Sequence, residues 1–125
     1  MYLQGKTKMA NKKLQQESKY EKYDLDGDGI PEVFIGAPHT DGPNGEYLFG
    51  RADVYSGRTG DIIYQFYGDQ FLSHFGLEVC DIGDVDGDGM TDLAVGAKYY
   101  DDGNGKVHVY SGATGNWIRG ITGGT

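Results

Sequence analysis

Residues 84–97 read DVDGDGMTDLAVGA, and residues 24–37 read DLDGDGIPEVFIGA. The two stretches align without gaps at an offset of 60, with seven of fourteen positions identical. Most of the remaining pairs are conservative: Leu25 with Val85, Glu32 with Asp92, Val33 with Leu93, Ile35 with Val95. A second block follows each, RADVYSGRTGD over residues 51–61 against KVHVYSGATGN over residues 106–116, at an offset of 55 with six of eleven identical. The five-residue difference falls in glycine-rich segments between the blocks, where a surface loop absorbs a change of length. The chain is a duplicated unit, and a period of this size decides the architecture before any single element does.

Each unit reads as short strands joined by tight turns. Residues 32–37 and 92–97 are brief apolar runs bounded by turn residues, the pattern of strands buried on both faces. Residues 48–55 and 106–110 come next and end in the turn Ser-Gly-x-Thr-Gly, after which 61–66 and 116–121 give a further strand. The second unit also has a strand over 75–82, led by Phe75-Gly76 and placed before its acidic loop. The first unit has no such counterpart: residues 14–23 (LQQESKYEKY) lack Phe-Gly and have a polar, helix-tolerant composition, so this stretch is either a helix or a degenerate strand. With 22 glycines, 10 tyrosines and 3 prolines, the composition agrees with an all-β chain.

The acidic loops carry the chemistry. Both have the form D-x-D-x-D-G-x-x-[DE], which presents Asp24, Asp26, Asp28 and Glu32 in the first and Asp84, Asp86, Asp88 and Asp92 in the second. Calcium takes about six to eight oxygens at roughly 2.3–2.6 Å, and alternate residues of a tight turn point carboxylates inward to supply them. Glycine at the sixth position permits the reversal, while Ile30 and Met90, whose side chains cannot ligate, offer backbone carbonyls. The reading is two calcium ions per chain. An EF-hand opens in the same way but demands a bidentate glutamate at position 12, where this chain has Ile35 and Val95. Pro31 and the strands that follow also oppose an exiting helix, although the lysine-rich stretch before Asp24 leaves an entering helix open for the first loop. A metal-free Asp-Gly turn is the plain alternative for one occurrence. Four crowded carboxylates in each of two matching loops make it costly, at about 1 kcal/mol per pair even in high dielectric. Magnesium fits less well, because it keeps its waters and demands octahedral geometry.

Charge excludes some partners. Residues 1–22 hold six lysines and two glutamates, whereas the remaining body carries 5 basic and 17 acidic groups. Such a body offers nucleic acid no basic patch. The basic arm either contacts an acidic partner or a neighbouring copy, or is simply solvated. The lone Cys80 excludes an internal disulfide and, within Leu77-Glu78-Val79-Cys80, reads as a small buried hydrophobe. No run approaches the roughly 18 apolar residues of a membrane span, and the N-terminus lacks the apolar core of a secretory signal.

Phe75-Gly76, the loop from Asp84, the run Asp92-Leu-Ala-Val-Gly96-Ala97 and Val109-Tyr110-Ser-Gly together resemble the FG-GAP repeat of integrin α-subunit β-propellers and their bacterial relatives; the first unit matches from Asp24 and includes Gly36-Ala37-Pro38. The second unit departs at Lys98, where the family usually has proline. Residues 1–22, the basic N-terminal arm, match nothing in the family; the resemblance implies one blade over 23–69 and another over 70–125, each of four antiparallel strands, with the first blade short of its own first strand unless residues 14–23 supply it. It also implies structural calcium between a blade's first and second strands, on the face away from the usual protein ligand. Adhesion or protein recognition at an extracellular, cell-surface or exported assembly follows as an expectation, with a glycan-binding lectin or a non-catalytic fragment of a larger enzyme as alternatives.

Two blades leave two apolar flanks uncovered. Propellers close with about four to eight blades, so the chain either forms a homo-oligomer, six blades as a trimer or eight as a tetramer, or belongs to a larger propeller. No enzyme constellation emerges: His39, His74 and His108 are scattered and read as loop or strand-surface residues, and no lysine completes a phosphate loop. Among Tyr47, Phe49, Tyr99, Tyr100 and Trp117, the pair Tyr99-Tyr100 in its glycine-rich loop is the foremost candidate for ligand contact, against a general expectation of packing.

Overall fold

The computed structural model describes residues 24–124; the basic arm and the stretch 14–23 lie outside the described residues. Seven strands follow in chain order: β1 (Val33–Ala37), β2 (Arg51–Tyr55), β3 (Ile62–Tyr67), β4 (Phe75–Gly83), β5 (Asp92–Ala97), β6 (Lys106–Tyr110) and β7 (Trp117–Thr122). They build two antiparallel sheets, β1-β2-β3 and β4-β5-β6-β7, each with its strands in sequence order. The expected all-β fold of two blades is therefore observed, with the Phe-Gly strand β4 at the sheet edge beside β5. The strand expected from residue 48 starts only at Arg51, because Leu48 and Gly50 have φ of 51° and 84°, outside the extended region a ladder requires.

The Ser-Gly-x-Thr-Gly turns are built identically in both blades. Ser56 N–H donates to the Asp61 carbonyl (2.7 Å) and Gly60 N–H to that of Ser56 (2.9 Å); Ser111 to Asn116 (2.7 Å) and Gly115 to Ser111 (2.8 Å) repeat the pattern. A Cβ on Gly57 would run into the Pro31 carbonyl, and one on Gly112 into that of Thr91. Each turn therefore lies directly on the end of its own acidic loop.

Period-2 alternation sorts the strand residues into two faces per sheet. Phe34, Ala52, Val54 and Phe66 of the first sheet face the second, which answers with Leu93, Val95, Phe75 and Tyr110. Phe66 and Tyr110 stack across the junction with centroids 3.9 Å apart, and Tyr64 Oη donates to the Gly112 carbonyl (2.9 Å). Phe75, fully buried at the junction, is the residue whose truncation would cost most, about 3–5 kcal/mol for Phe→Ala in a core.

Three expectations need correction. Burial on both faces holds for β5 but not for β1, where Val33 and Ile35 are each 48% exposed: they lie on the face turned away from the second sheet, which nothing among the described residues covers. Cys80 is exposed rather than buried, since it pairs with Ala94 on the outward face of the second sheet. His108, expected at a surface, is buried between the sheets beside Phe75 and Tyr110. Burial holds its imidazole below the ordinary value, partly opposed by the Asp69 carboxylate 3.9 Å away.

The two ends of the sheets differ in kind. The acidic loops and Ser-Gly-x-Thr-Gly turns share one end; residues 38–50, 68–74 and 98–105 make up the other. All five left-handed non-glycine residues among those described, Leu48, Leu72, His74, Asp101 and Asp102, lie at this second end.

Candidate metal centre

The acidic loops gain their shape from their own carboxylates. In the first, Asp24 Oδ1 accepts the Asp28 N–H (3.0 Å) and Oδ2 the Gly29 N–H (2.7 Å), while Asp28 Oδ1 accepts the Ile30 N–H (2.9 Å). In the second, Asp84 Oδ1 takes Gly87 (2.7 Å) and Asp88 (3.0 Å), Oδ2 takes Gly89 (2.7 Å), and Asp88 Oδ1 takes Met90 (3.0 Å). Gly27, Gly29, Gly87 and Gly89 all have φ between 77° and 91°, so the chain reverses twice within each loop.

One oxygen each from Asp24, Asp26, Asp28 and Glu32 lies within 4.8 Å of the others, and so do oxygens of Asp84, Asp86 and Asp88. The fourth acid behaves differently in the two loops. Glu32 Oε2 accepts the Leu25 N–H, but its Oε1 is buried without a hydrogen-bond partner. Burial pushes this carboxyl up to about 6, against the Leu25 amide, and the charges of Asp26, Asp24 and Asp28 push the same way. Asp92 is fully buried and has both oxygens in use: Oδ2 accepts Val85 (2.7 Å) and Asp86 (3.2 Å), Oδ1 accepts Gly112 (3.1 Å). Asp92 is thus held apart from the three-acid cluster of its own loop.

Titration follows these surroundings. The amide of Gly89, with those of Gly87 and Asp88, holds Asp84 below the usual carboxylate range. Asp86 is raised, first by desolvation and then by the charges of Asp92 and Asp88. An orphaned oxygen beside three carboxylates, on a carboxyl pushed up by burial and by their charge, is a donor set that fits a cation, and the first loop suits the expected group on both counts.

Neighbours that the loop motif alone does not reveal complete the first site. Arg58 donates from Nη2 to the Asp28 carbonyl (3.0 Å) and places Nε 3.6 Å from Asp28 Oδ2, which also receives Ser56 Oγ–H (3.4 Å). The corresponding residue of the second turn is Ala113, so the second loop has no such cation. The signal was present in the sequence as the adjacent Ser-Gly-x-Thr-Gly repeat, but its contact with a loop 28 residues earlier is tertiary.

Of the aromatic candidates, Tyr99 is exposed and meets His74 edge-on, with centroids 4.6 Å apart. Tyr100, its partner in the candidate pair, is half-buried and packs against the core under the Lys106 ammonium, 4.7 Å from the ring centroid, in line with the general expectation of packing. Phe49 is half-buried and Trp117 is exposed on β7. Tyr47, 60% exposed, stacks on Phe71, 54% exposed, at 5.5 Å.

Two stacked antiparallel sheets, each with an acid-rich loop leading into a strand, define a protein made of propeller-type blades. Residues 81–110 match the family model of the FG-GAP repeat, so this stretch carries one such repeat. It is 34% identical over 94 residues to integrin alpha-4 of Xenopus laevis, a match covering 71% of this chain and 9% of that protein. Integrin alpha-PS2 of Drosophila melanogaster is 39% identical over 100 residues, 72% of this chain and 7% of the relative. Integrin alpha ina-1 of Caenorhabditis elegans is 32% identical over 106 residues, 74% and 9%. The chain thus spans only 7–9% of the length of these curated relatives. No helix among the described residues is long and apolar enough to cross a membrane.

Proposed function

We propose that the chain is a non-enzymatic propeller module, stabilised by two calcium ions, that serves adhesion or protein recognition as part of a larger extracellular, cell-surface or exported propeller. The observation that carries the calcium reading is the convergence of Asp24, Asp26, Asp28 and Glu32 with a buried, unpartnered Glu32 Oε1 at the centre of negative charge. The first ion would be held by these four carboxylates and the Ile30 carbonyl. The second would be held by Asp84, Asp86 and Asp88, the Met90 carbonyl and Asp92, whose carboxylate must turn one oxygen from the backbone amides. Bound calcium supplies the positive charge that these acids lack and fixes the entry to β1 and β5. The similarity to integrin α subunits supports the adhesive role and the larger assembly.

Calorimetric titration of the metal-free chain tests the reading. Two calcium ions should bind, and the melting temperature should rise by several degrees with calcium and fall again with chelator. An unchanged melting temperature, together with no heat of binding, overturns it.

A second reading, glycan binding, is favoured by one feature: the exposed Tyr47–Phe71 stack beside strained loops at the end opposite the acidic loops. Sugar rings pack on such faces. A glycan array should then give hits that Tyr47→Ala removes without lowering the melting temperature; an empty array ends this alternative.

A further inference from the structure

We propose that His39 and His74 form a site for one borderline divalent cation of the zinc class, which bridges the two blades at the end opposite the acidic loops. The inference goes beyond the calcium reading and does not depend on it, because it rests on other residues and on a different donor chemistry.

The two histidines belong to different connections. His39 lies just after β1, in the segment 38–50, and His74 closes the segment 68–74 directly before β4. The fold brings their rings together, with centroids 5.1 Å apart and planes at 85°. Two imidazoles that share one tetrahedral ion, with bonds of about 2.1 Å, set their centroids about 5 Å apart. Near-perpendicular planes are compatible with an edge nitrogen of each ring meeting at one point between them. The spacing of a two-histidine site is therefore already in place, although nothing in the sequence joins the two residues.

The backbone holds both sides. Thr40 N–H donates to the Ala37 carbonyl (3.3 Å) and Gly50 N–H to that of Thr40 (2.8 Å), which closes the connection around His39. Leu77 N–H donates to the His74 carbonyl (3.0 Å), and Tyr99 N–H to the carbonyl of the adjacent Ser73 (3.0 Å). His74 has φ of 59°, a left-handed conformation that a non-glycine residue keeps only where its surroundings impose it, and such strain gathers at functional sites. The Tyr99 ring meets the His74 ring edge-on at 4.6 Å and flanks it on one side. Half-buried His74 is thus the fixed ligand, and exposed His39 the one with freedom to adjust.

Donor type selects the ion. Neutral imidazole suits zinc, copper and nickel, whereas the carboxylates of the acidic loops suit calcium. Two histidines leave positions of a four-coordinate ion open to water or to an incoming donor. A bound ion would tie a connection of the first blade to the entry of the second blade's first strand. Hard-cation chemistry at one end of the sheets would then be matched by borderline-cation chemistry at the other.

The full chain, held in excess calcium, is titrated with zinc by calorimetry and with copper(II) by electron paramagnetic resonance. One zinc ion should bind and raise the melting temperature by a few degrees, and the copper spectrum should carry coupling from two nitrogens. His39→Gln and His74→Asn should each weaken zinc about tenfold or more and leave coupling from one nitrogen. Asparagine tolerates the left-handed conformation, so His74→Asn should keep the loop, and His39→Gln sits at an exposed position. Without zinc both variants should melt with the parent and respond to calcium as it does. No saturable zinc uptake overturns the proposal. So does uptake that both variants retain, which would put the ion on the acidic loops instead.

Discussion

The first and second acidic loops share a motif but not a state. In the first, the ninth-position acid is a glutamate whose longer side chain reaches the acid cluster, leaves one oxygen without a partner and is pushed up to about 6. In the second, the one-carbon-shorter Asp92 is consumed by three backbone amides and acts as the internal brace of loop and turn. The first loop has a built-in cation, Arg58 on Asp28, and the second has Ala113 in its place. Identical spacing therefore yields one ninth-position acid that keeps an oxygen without a partner and one that is fully tied to the backbone.

That contrast can be broken most forcefully at the ninth position, with metal removed by chelator. Asp92→Ala strands three amide donors, each worth about 1–3 kcal/mol when left unsatisfied, and should destabilise by several kcal/mol in denaturant melts. Glu32→Ala should cost less than about 1 kcal/mol there, because removing a repelled carboxylate offsets the lost Leu25 hydrogen bond. Equal losses would erase the distinction between brace and ligand.

Next in size come the first-position acids. Asp24→Ala and Asp84→Ala should each lower the calcium stoichiometry by one site. Each should also remove about 2.7 kcal/mol of the stabilisation conferred by calcium at a hundredfold excess over Kd. Calorimetry and melting in parallel check both.

A smaller effect is expected at the turn. Arg58→Ala should tighten the first site about fivefold at low ionic strength, and Ala113→Arg should weaken the second by a like factor. Arg58 is half-exposed, so both changes should fade in high salt as screening takes over. Salt-independent changes would mean that the arginine shapes the loop rather than tunes its charge.

The smallest contrast concerns the paired buried positions Asp53 and His108, equivalent in the second block. Asp53 Oδ2 is bound by Arg51 Nε (2.9 Å) and Tyr55 Oη (3.2 Å) while its Oδ1 has no partner, and His108 Nε2 has no hydrogen-bond partner at all. With its folded value depressed, His108 contributes stability that is full above the unfolded value of about 6.5 and is lost as pH falls through the lower folded value. Melting temperatures of His108→Gln against the parent, measured from neutral to acid, should converge as pH falls. A constant gap sinks that account.

Much of this was legible in the residues. Alternation and turn chemistry place six of the seven strands from the duplicated blocks and the seventh from Phe75-Gly76, because strand faces and reversals are local properties. The three-acid core of each loop is equally local. What escaped depends on which face meets which: Val33 and Leu93 look alike, yet only Leu93 has a sheet opposite it. Cys80 and His108 were misjudged for that reason, one outward and one inward. The packing of Tyr100 under Lys106 is likewise tertiary, a contact set by the return of the chain along β6. The division of labour between Glu32 and Asp92 rests on a single methylene and on Gly112, twenty residues downstream of Asp92.

Gly112 joins more than its own turn. Its N–H is tied to Asp92, and its carbonyl receives the hydroxyl of Tyr64, whose ionisation is raised by burial and by the negative charge of Glu32. Asp92 of the second loop is thus tied through one glycine to a tyrosine of the first blade across the blade boundary. Tyr64→Phe, which cuts only that hydroxyl link, should loosen the brace on the second loop and lower the melting temperature by a few degrees, leaving the first loop unaffected.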